Sequence, residues 1–344
     1  MNGPERMRVV HVQRRPHAFA NFSVEGMFDL VRRELAGTVD ITVVVPTRAS
    51  RGVLGRIAMA REVAGQQGDV THVLGDITFV AAALDPARTI VTVLDCVHET
   101  LTDPVKRALL GWLWLRVPVA RAARVTAISA FTRDRIVALT GCAPGKVTVI
   151  PPALAPRFMA APGTFGTARP RVLMVGTAPN KNVGRALAAL AGIPCTVVIV
   201  GRLDAAQQHA IAAAGLTIEN PVNLTDAAML AEYQRCDVVL FVSTYEGFGL
   251  PIIEAQGVGR PVIASAIGAM PEAAGDGAAL VDPYDVAAIR GAVERVIGDA
   301  GYRDGLVARG IANARRFAPA PIAAQYRTLY EDVYARRAIG ATIG

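Results

Sequence analysis

The sequence predicts an α/β chain built as two doubly wound domains, and three observations carry that expectation. Short, continuously apolar, β-branched runs alternate with amphipathic stretches along most of the chain. Strands of that kind belong to parallel sheets covered by helices on both faces. The chain has 344 residues, about twice the length of an ordinary domain. Residues 151–170 hold five prolines and little apolar periodicity, so they read as a linker between two halves of the same grammar.

In the first half, residues 8–12, 41–45, 70–74, 89–94, 125–128 and 147–150 read as strands. Between the first two, Asn21 or Ser23 is placed to cap a helix whose apolar face is Val24, Met27, Phe28, Val31 and Leu35. In the second half the strands are 172–175, 196–200, 238–242 and 261–264, with helices starting near Asn182, Asp204, Asp226 and Pro251. A last helical stretch, 319–337, carries the stripe Ile322, Tyr326, Leu329, Tyr330 and Val333. The domains expected are 1–156 and 157–318, facing each other across a central cleft, with the tail 319–344 returning to the first.

Composition narrows the function. The chain is 52% apolar and 19% charged, which excludes a disordered chain, and its 32 glycines show no collagen period. The longest apolar stretch, 108–119, is broken by Arg116 and ended by Pro118, short of the roughly 20 residues a membrane span needs. The polar first residues run straight into a strand, with no visible secretory signal. The expected location is cytoplasmic, or peripheral on the inner face of the plasma membrane. Cys96, Cys142, Cys195 and Cys236 are too dispersed for a metal site or a disulfide framework and read as reduced thiols. The net charge of +7 is concentrated in residues 1–156, which carry +6 of it.

Ligands of open α/β sheets bind beyond the carboxyl ends of the strands. In the first half those positions are Arg14, Arg15, Gly75, Asp76, Cys96 and His98. In the second they are Gly176, Thr177, Gly201, Arg202, Ser243 and Thr244. The most informative segment is 241–265, FVSTYEGFGLPIIEAQGVGRPVIAS. A strand runs into a glycine turn, and Pro251 sits where a helix begins. Gly247 and Gly249 let backbone N–H groups approach a ligand, and the helix N-terminus favours an anion. Glu246 and Glu254 flank that turn. Carboxylates there suit sugar hydroxyls better than phosphate, so the pattern fits a nucleotide sugar.

Glu246 and Glu254 form E-x7-E inside EGFGLPxxE, which resembles the signature of retaining GT-B glycosyltransferases of family four. The similarity extends to VGTAPNKN, VGRL and TAISAFT, and is tighter in the C-terminal half. It implies that Glu246 lies by the donor sugar and Glu254 holds the ribose hydroxyls. It also implies that backbone amides at Gly247, Phe248 and Gly249, beside Leu250, approach the sugar or diphosphate. The family needs no obligate metal, and the chain contains no Asp-x-Asp. Lys181 and Arg202 are therefore the expected cations on the diphosphate, near Gly176 and Thr177. Many relatives carry arginine where this chain has Thr177, which makes Arg202 the candidate substitute. No cofactor is expected beyond the donor itself.

The first half resembles the family less. Where relatives show T-x-H-D, this chain has Thr92-Val93-Leu94-Asp95, and His98 follows four residues beyond Leu94. His98 reads either as the cleft histidine or as a loop residue. Asp76 and Asp95 could bind acceptor hydroxyls; for Asp76 a turn-forming role is the equal alternative. Arg14 could meet diphosphate or acceptor, or be solvated. Residues 106–135 interleave Trp112 and Trp114 with seven basic residues. They fit an anionic lipid surface or a packed core with solvated arginines, and no signature supports nucleic acid. Gly257 to Arg260 and Gly141 to Lys146 imitate dinucleotide and P-loop glycine patterns in the wrong context.

The sequence thus predicts transfer of a hexose-type sugar from a nucleotide-diphosphate sugar to a glycan or lipid-linked acceptor in surface polysaccharide or glycolipid synthesis. A nucleotide-sugar epimerase and a non-catalytic sugar-nucleotide-binding protein are the rivals.

Overall fold

The computed structural model describes residues 6–15, 24–48, 50, 52–158 and 163–343, with side chains to 336. The candidate caps Asn21 and Ser23 lie outside the described residues. The chain forms two compact units. One comprises residues 1–153 with 319–344, the other residues 154–318. The change of unit falls inside the proline-rich stretch, where the Leu154 amide donates to the Phe317 carbonyl.

The first unit holds six parallel strands, β1 (Arg8–Val12), β2 (Asp40–Val44), β3 (Val70–Val73), β4 (Thr89–Val93), β5 (Arg124–Ala127) and β6 (Val147–Val149). Their spatial order is β2-β1-β3-β4-β5-β6. Side chains alternate across the sheet. Val9, Val70 and Ile90 join Phe28, Val31 and Leu35 of the helix Val24–Leu35 on one face. Val10, Val73 and Val91 pack with Met59, Leu115 and Ile136 on the other.

The helix Pro319–Ile343 belongs to this unit. Its Ile322, Tyr326, Leu329, Tyr330 and Val333 are all buried in the same core as Phe28. A directional hydrogen-bond chain fastens it. The Arg32 guanidinium donates to His11 Nδ1 at 3.2 Å, so the His11 proton sits on Nε2 and is donated to Tyr330 Oη at 2.9 Å. The Tyr330 hydroxyl donates to His72 Nδ1 at 2.9 Å, and His72 Nε2 donates to Thr92 Oγ1 at 2.7 Å. Thr92 Oγ1 lies 2.7 Å from Thr126 Oγ1. The acceptor roles of His11 Nδ1 and His72 Nδ1 require neutral imidazoles. Burial drives both pKa values down, His72 to about 3.

The second unit holds β7 (Arg171–Val175), β8 (Thr196–Val200), β9 (Thr217–Glu219), β10 (Val238–Phe241), β11 (Val262–Ser265) and β12 (Ala278–Val281). All pairs are parallel, in the order β12-β11-β10-β7-β8-β9. The outermost strands, β9 and β12, are absent from the sequence reading. Both are short and only partly covered; β9 (Thr-Ile-Glu) has no continuous apolar run, and β12 (Ala-Ala-Leu-Val) has no β-branched residue before Val281. The order reverses between β1 and β3 in the first sheet and between β7 and β10 in the second. Those two switch points are where open sheets leave room for a ligand.

None of the four cysteines forms a disulfide; three are buried and Cys142 is half-buried. Among the described residues, no helix is long and apolar enough to cross a membrane.

Candidate active site

At the second switch point, the chain leaves β7 through Gly176, whose φ is +92°. A Cβ there would lie 2.9 Å from Lys181 Cε, so glycine is what admits the lysine. A short 3-10 turn, Pro179–Lys181, then delivers the side chain, and Asn182 ends it at φ +58°. Asn182 sits in the left-handed region because its amide is anchored. Its Nδ2 donates to the carbonyls of Val242 at 3.0 Å and Pro283 at 2.7 Å. Lys181 Nζ lies 2.5 Å from Glu246 Oε1 and 4.8 Å from the centre of the Phe241 ring. Asn180 Nδ2 donates to the same Glu246 oxygen at 3.2 Å and to the Tyr245 carbonyl at 2.8 Å. The loops after β7 and β10 are thereby locked together, with Lys181 and Glu246 as a partly covered charge pair.

Beyond Glu246 the chain turns through Gly249, φ +113°, into the helix Leu250–Val258, whose Pro251 occupies the first turn. Gly249 supplies no side-chain cap, which leaves the dipole of this N-terminus available to an anion. Phe248 keeps its side chain inside the unit. Its ring is buried edge-on against Phe317, centroids 5.4 Å apart, so only its backbone can face a ligand.

Glu254 lies in the interior of the same helix, 4% exposed. It accepts a hydrogen bond from the Tyr233 hydroxyl at 2.8 Å, and burial pushes its pKa up to about 8. Tyr233 escaped the sequence reading because a tyrosine on a helix looks like any core aromatic. Asn180 escaped for a related reason: a turn asparagine carries no signal until the β10 loop is brought to it.

Arg202 is exposed just past β8. Its carbonyl accepts from Thr177 Oγ1 at 2.7 Å, and Gln207 donates to the Thr177 carbonyl at 2.7 Å. Thr177 therefore fastens the β7 loop to the β8 loop. The structure unites Lys181 with Glu246, whereas Arg202 and Glu254 take other partners.

In the first unit, Arg14 spans the switch point between β1 and β3. Its Nη1 lies 2.9 Å from Asp76 Oδ2 and its Nε 3.1 Å from Glu25 Oε1. Beside it, a cavity of about 310 Å³ opens at the carboxyl ends of β3 and β4, lined among others by Asp76, Thr78, Asp95, His98, Leu110 and Trp114. Asp95 Oδ1 accepts from the Val97 amide at 2.9 Å, which starts the turn carrying His98. Partial burial lowers the His98 pKa. The turn packs against Gly111, where a Cβ would lie 3.1 Å from His98 Nε2. Gly111 opens the π-helical segment Gly111–Arg116. That segment turns Trp114 inward, its Nε1 donating to the Asp76 carbonyl at 2.6 Å and its ring 5.2 Å from Phe79. Trp112 is left 56% exposed. The two tryptophans thus divide between core and surface.

Both units match known protein families. The domain described as Glycosyltransferase Family 4 matches residues 9–157, and the domain described as glycosyl transferases group 1 matches residues 169–299. The chain belongs to the family-four, group 1 glycosyltransferases.

Among its relatives, O-antigen chain mannosyltransferase B of Escherichia coli is 40% identical over 85 residues, 25% of this chain and 22% of that protein. D-inositol 3-phosphate glycosyltransferase of Acidothermus cellulolyticus is 30% identical over 65% of this chain and 56% of its own length. These matches span less than two thirds of the relatives' own lengths. The crystal structure of Anabaena HepE in complex with UDP and glucose superposes with a TM-score of 0.78 at 17% identity, over 95% of this chain and 100% of that one. At that identity the likeness concerns the fold, which is GT-B. Within the family's pattern the glutamates of E-x7-E differ sharply in setting: Glu246 stands at the switch point with Lys181, and Glu254 is sunk against Tyr233.

Proposed function

We propose that this family-four chain is a retaining, metal-independent hexosyltransferase. It moves a sugar from a nucleotide-diphosphate sugar to a glycan or lipid-linked acceptor in polysaccharide or glycolipid assembly. The observation that carries the reading is the Lys181–Glu246 pair at the switch point, directly ahead of a glycine-capped helix N-terminus. In this reading Glu246 stands by the donor sugar and Glu254 accepts from the ribose. Lys181, Arg202 and the turn amides meet the negative charge that develops as the sugar C1–O bond to the diphosphate breaks. The acceptor hydroxyl bonds to C1 from the face the diphosphate leaves, and its proton departs with the leaving phosphate. Asp76, Asp95, His98 and Arg14 belong to the acceptor side. The relatives' names supply two acceptor chemistries, a glycan chain and an inositol phosphate.

The test is incubation with a panel of UDP-, GDP- and ADP-hexoses and simple glycosides, with the product anomer read by NMR. Retention in excess chelator is expected. Inversion, or turnover lost to chelator and restored by Mg²⁺, would refute it. Conversion of donor without acceptor would favour an epimerase instead.

A second reading concerns location. Val105, Leu109 and Trp112 are 74%, 58% and 56% exposed at helical spacing, beside the exposed Lys106, Arg107 and Arg116. An apolar stripe with a basic border suits an anionic membrane surface at the inner face of the plasma membrane. Co-sedimentation with phosphatidylglycerol vesicles but not phosphatidylcholine vesicles is the expected result; equal recovery with both would sink it.

A further inference from the structure

The cavity at the carboxyl ends of β3 and β4 has a charge character that selects among acceptors. Its described lining contains two carboxylates, Asp76 and Asp95, the imidazole of His98, the indole of Trp114, and aliphatic side chains that include Leu110 and Leu115. No lysine or arginine stands among those lining residues. The nearby cations are already paired. Arg14 pairs with Asp76 and Glu25, Arg135 pairs with Glu99, and the Arg56 guanidinium lies over the Trp114 ring, 4.7 Å from its centre.

A hexose ring has an apolar C–H face and a rim of hydroxyl donors, which matches an indole and aliphatic wall bordered by carboxylates. Carboxylates accept strongly from hydroxyl groups, and two of them can divide a diol between them. A phosphate dianion in the same space would face Asp95 and an Asp76 whose cation, Arg14, is shared with Glu25, so the wall stays net negative. The indole is also rigidly set. The Trp114 indole N–H donates to the Asp76 carbonyl and the Trp114 carbonyl accepts from Thr78 Oγ1 at 2.5 Å, so Trp114 and Asp76 move as one wall. The π-helical turn that creates this wall is the sort of local irregularity that recurs at functional sites.

We propose that this cavity binds an uncharged sugar ring of the acceptor, and that Asp76 and Asp95 exclude acceptors whose bound end carries phosphate. The proposal rests on the reading above that the first unit takes the acceptor. It goes further by choosing the glycan chemistry over the inositol phosphate chemistry.

Trp112 and Trp114 are the chain's two tryptophans, so Trp112→Phe leaves the cavity indole as the sole tryptophan emitter, excited selectively over the tyrosines. The probes are methyl α-D-mannopyranoside, methyl α-D-glucopyranoside, α-1,2-mannobiose and myo-inositol 1-phosphate. At least one neutral glycoside should change Trp114 emission saturably, with myo-inositol 1-phosphate at least about tenfold weaker. Asp76→Asn with Asp95→Asn, checked for folding by circular dichroism, should weaken the neutral glycoside by about tenfold and narrow the preference. Equal or tighter binding of the phosphate compound, or no response to any neutral glycoside, would overturn the proposal. Thermal stabilisation of the same protein by UDP or GDP is followed in parallel. If a nucleotide stabilises it while the glycosides fail, the acceptor assignment falls and the glycosyltransferase reading stands. If no nucleotide binds and no donor turns over, that reading falls first.

Discussion

Glu246 has two neighbours that hold one of its oxygens, and they differ in kind. Lys181 brings a charge at 2.5 Å, and Asn180 brings an amide at 3.2 Å. A cation meant for a leaving diphosphate acts most in the transition state, so its loss appears in kcat. Lys181→Ala should slow transfer by about 10²–10³, the cost of removing one preorganised donor. Asn180→Ala should lower kcat by roughly tenfold with little change in donor KM, because it loosens one hydrogen bond to a charged group. In a Lys181→Ala, Glu246→Ala cycle the double variant should be less impaired than the product of the singles, since the two side chains act as a pair. Strict multiplicativity would show that the contact has no role in turnover. Glu254 makes a different prediction. A carboxyl raised from 4.5 to about 8 in the folded state holds a proton that the unfolded chain releases. Its contribution to stability therefore falls as pH rises from about 4.5 to about 8, by on the order of a few kcal/mol. Glu254→Gln removes that slope, so its melting temperature relative to wild type should climb steadily between pH 5 and 8. A difference that stays constant across that range would contradict the buried-acid assignment.

At the scale of elements, the second site is made by two loops rather than by a helix or a strand. Gly176 shows how tightly they are set. Alanine there would adopt φ +92° at roughly 1–2 kcal/mol and would press on Lys181 Cε from 2.9 Å. The lysine can yield, since its end is flexible, but only by leaving Glu246. Gly176→Ala should therefore lose turnover nearly as far as Lys181→Ala while melting only a few degrees lower. Kinetics and a thermal scan on the same preparation check this. Full activity with a large loss of stability would mean that the glycine serves the fold instead. That the two glutamates share one glycine turn and its helix was legible in the sequence. Their unequal environments were not, because the spacing cannot say which carboxylate meets a tyrosine from the helix Asp226–Arg235.

Across the whole molecule, the first unit closes through a helix separated from the unit's main segment by the 165 residues of the second unit. Tyr330 is the clasp: its hydroxyl accepts from His11 and donates to His72. Tyr330→Phe orphans two buried nitrogens, at about 1–3 kcal/mol each. Both histidines have folded-state pKa values below their unfolded value of 6.5. Neutral in the fold and protonated when unfolded, they contribute stability that is present above about pH 6.5. That stability is lost as pH falls from there toward about 3. Arg32, the only charged group that hydrogen-bonds either imidazole among the described residues, adds to the cost of protonation. Hydrogen exchange at pH 5 should show residues 319–336 losing protection ahead of the second unit's β7, β10 and β11. Simultaneous loss in both units would rule out the clasp as the acid-sensitive point.

The sequence by itself determined the two α/β units, ten of the twelve strands and the motif that names the family. Apolar runs, prolines and glycine turns are local signals, and a parallel sheet needs continuous ones. The edge strands β9 and β12 carry a weaker signal, since β9 is Thr-Ile-Glu and β12 is Ala-Ala-Leu-Val, with two alanines and no β-branched run. The tertiary structure alone decided which side chains meet. Lys181 with Glu246, Glu254 with Tyr233, Arg14 with Asp76 and Tyr330 between two histidines join segments 65, 21, 62 and up to 319 residues apart. Contacts at such separations follow from strand order, and strand order is set by how both faces of each sheet are covered, a property that no window of sequence contains.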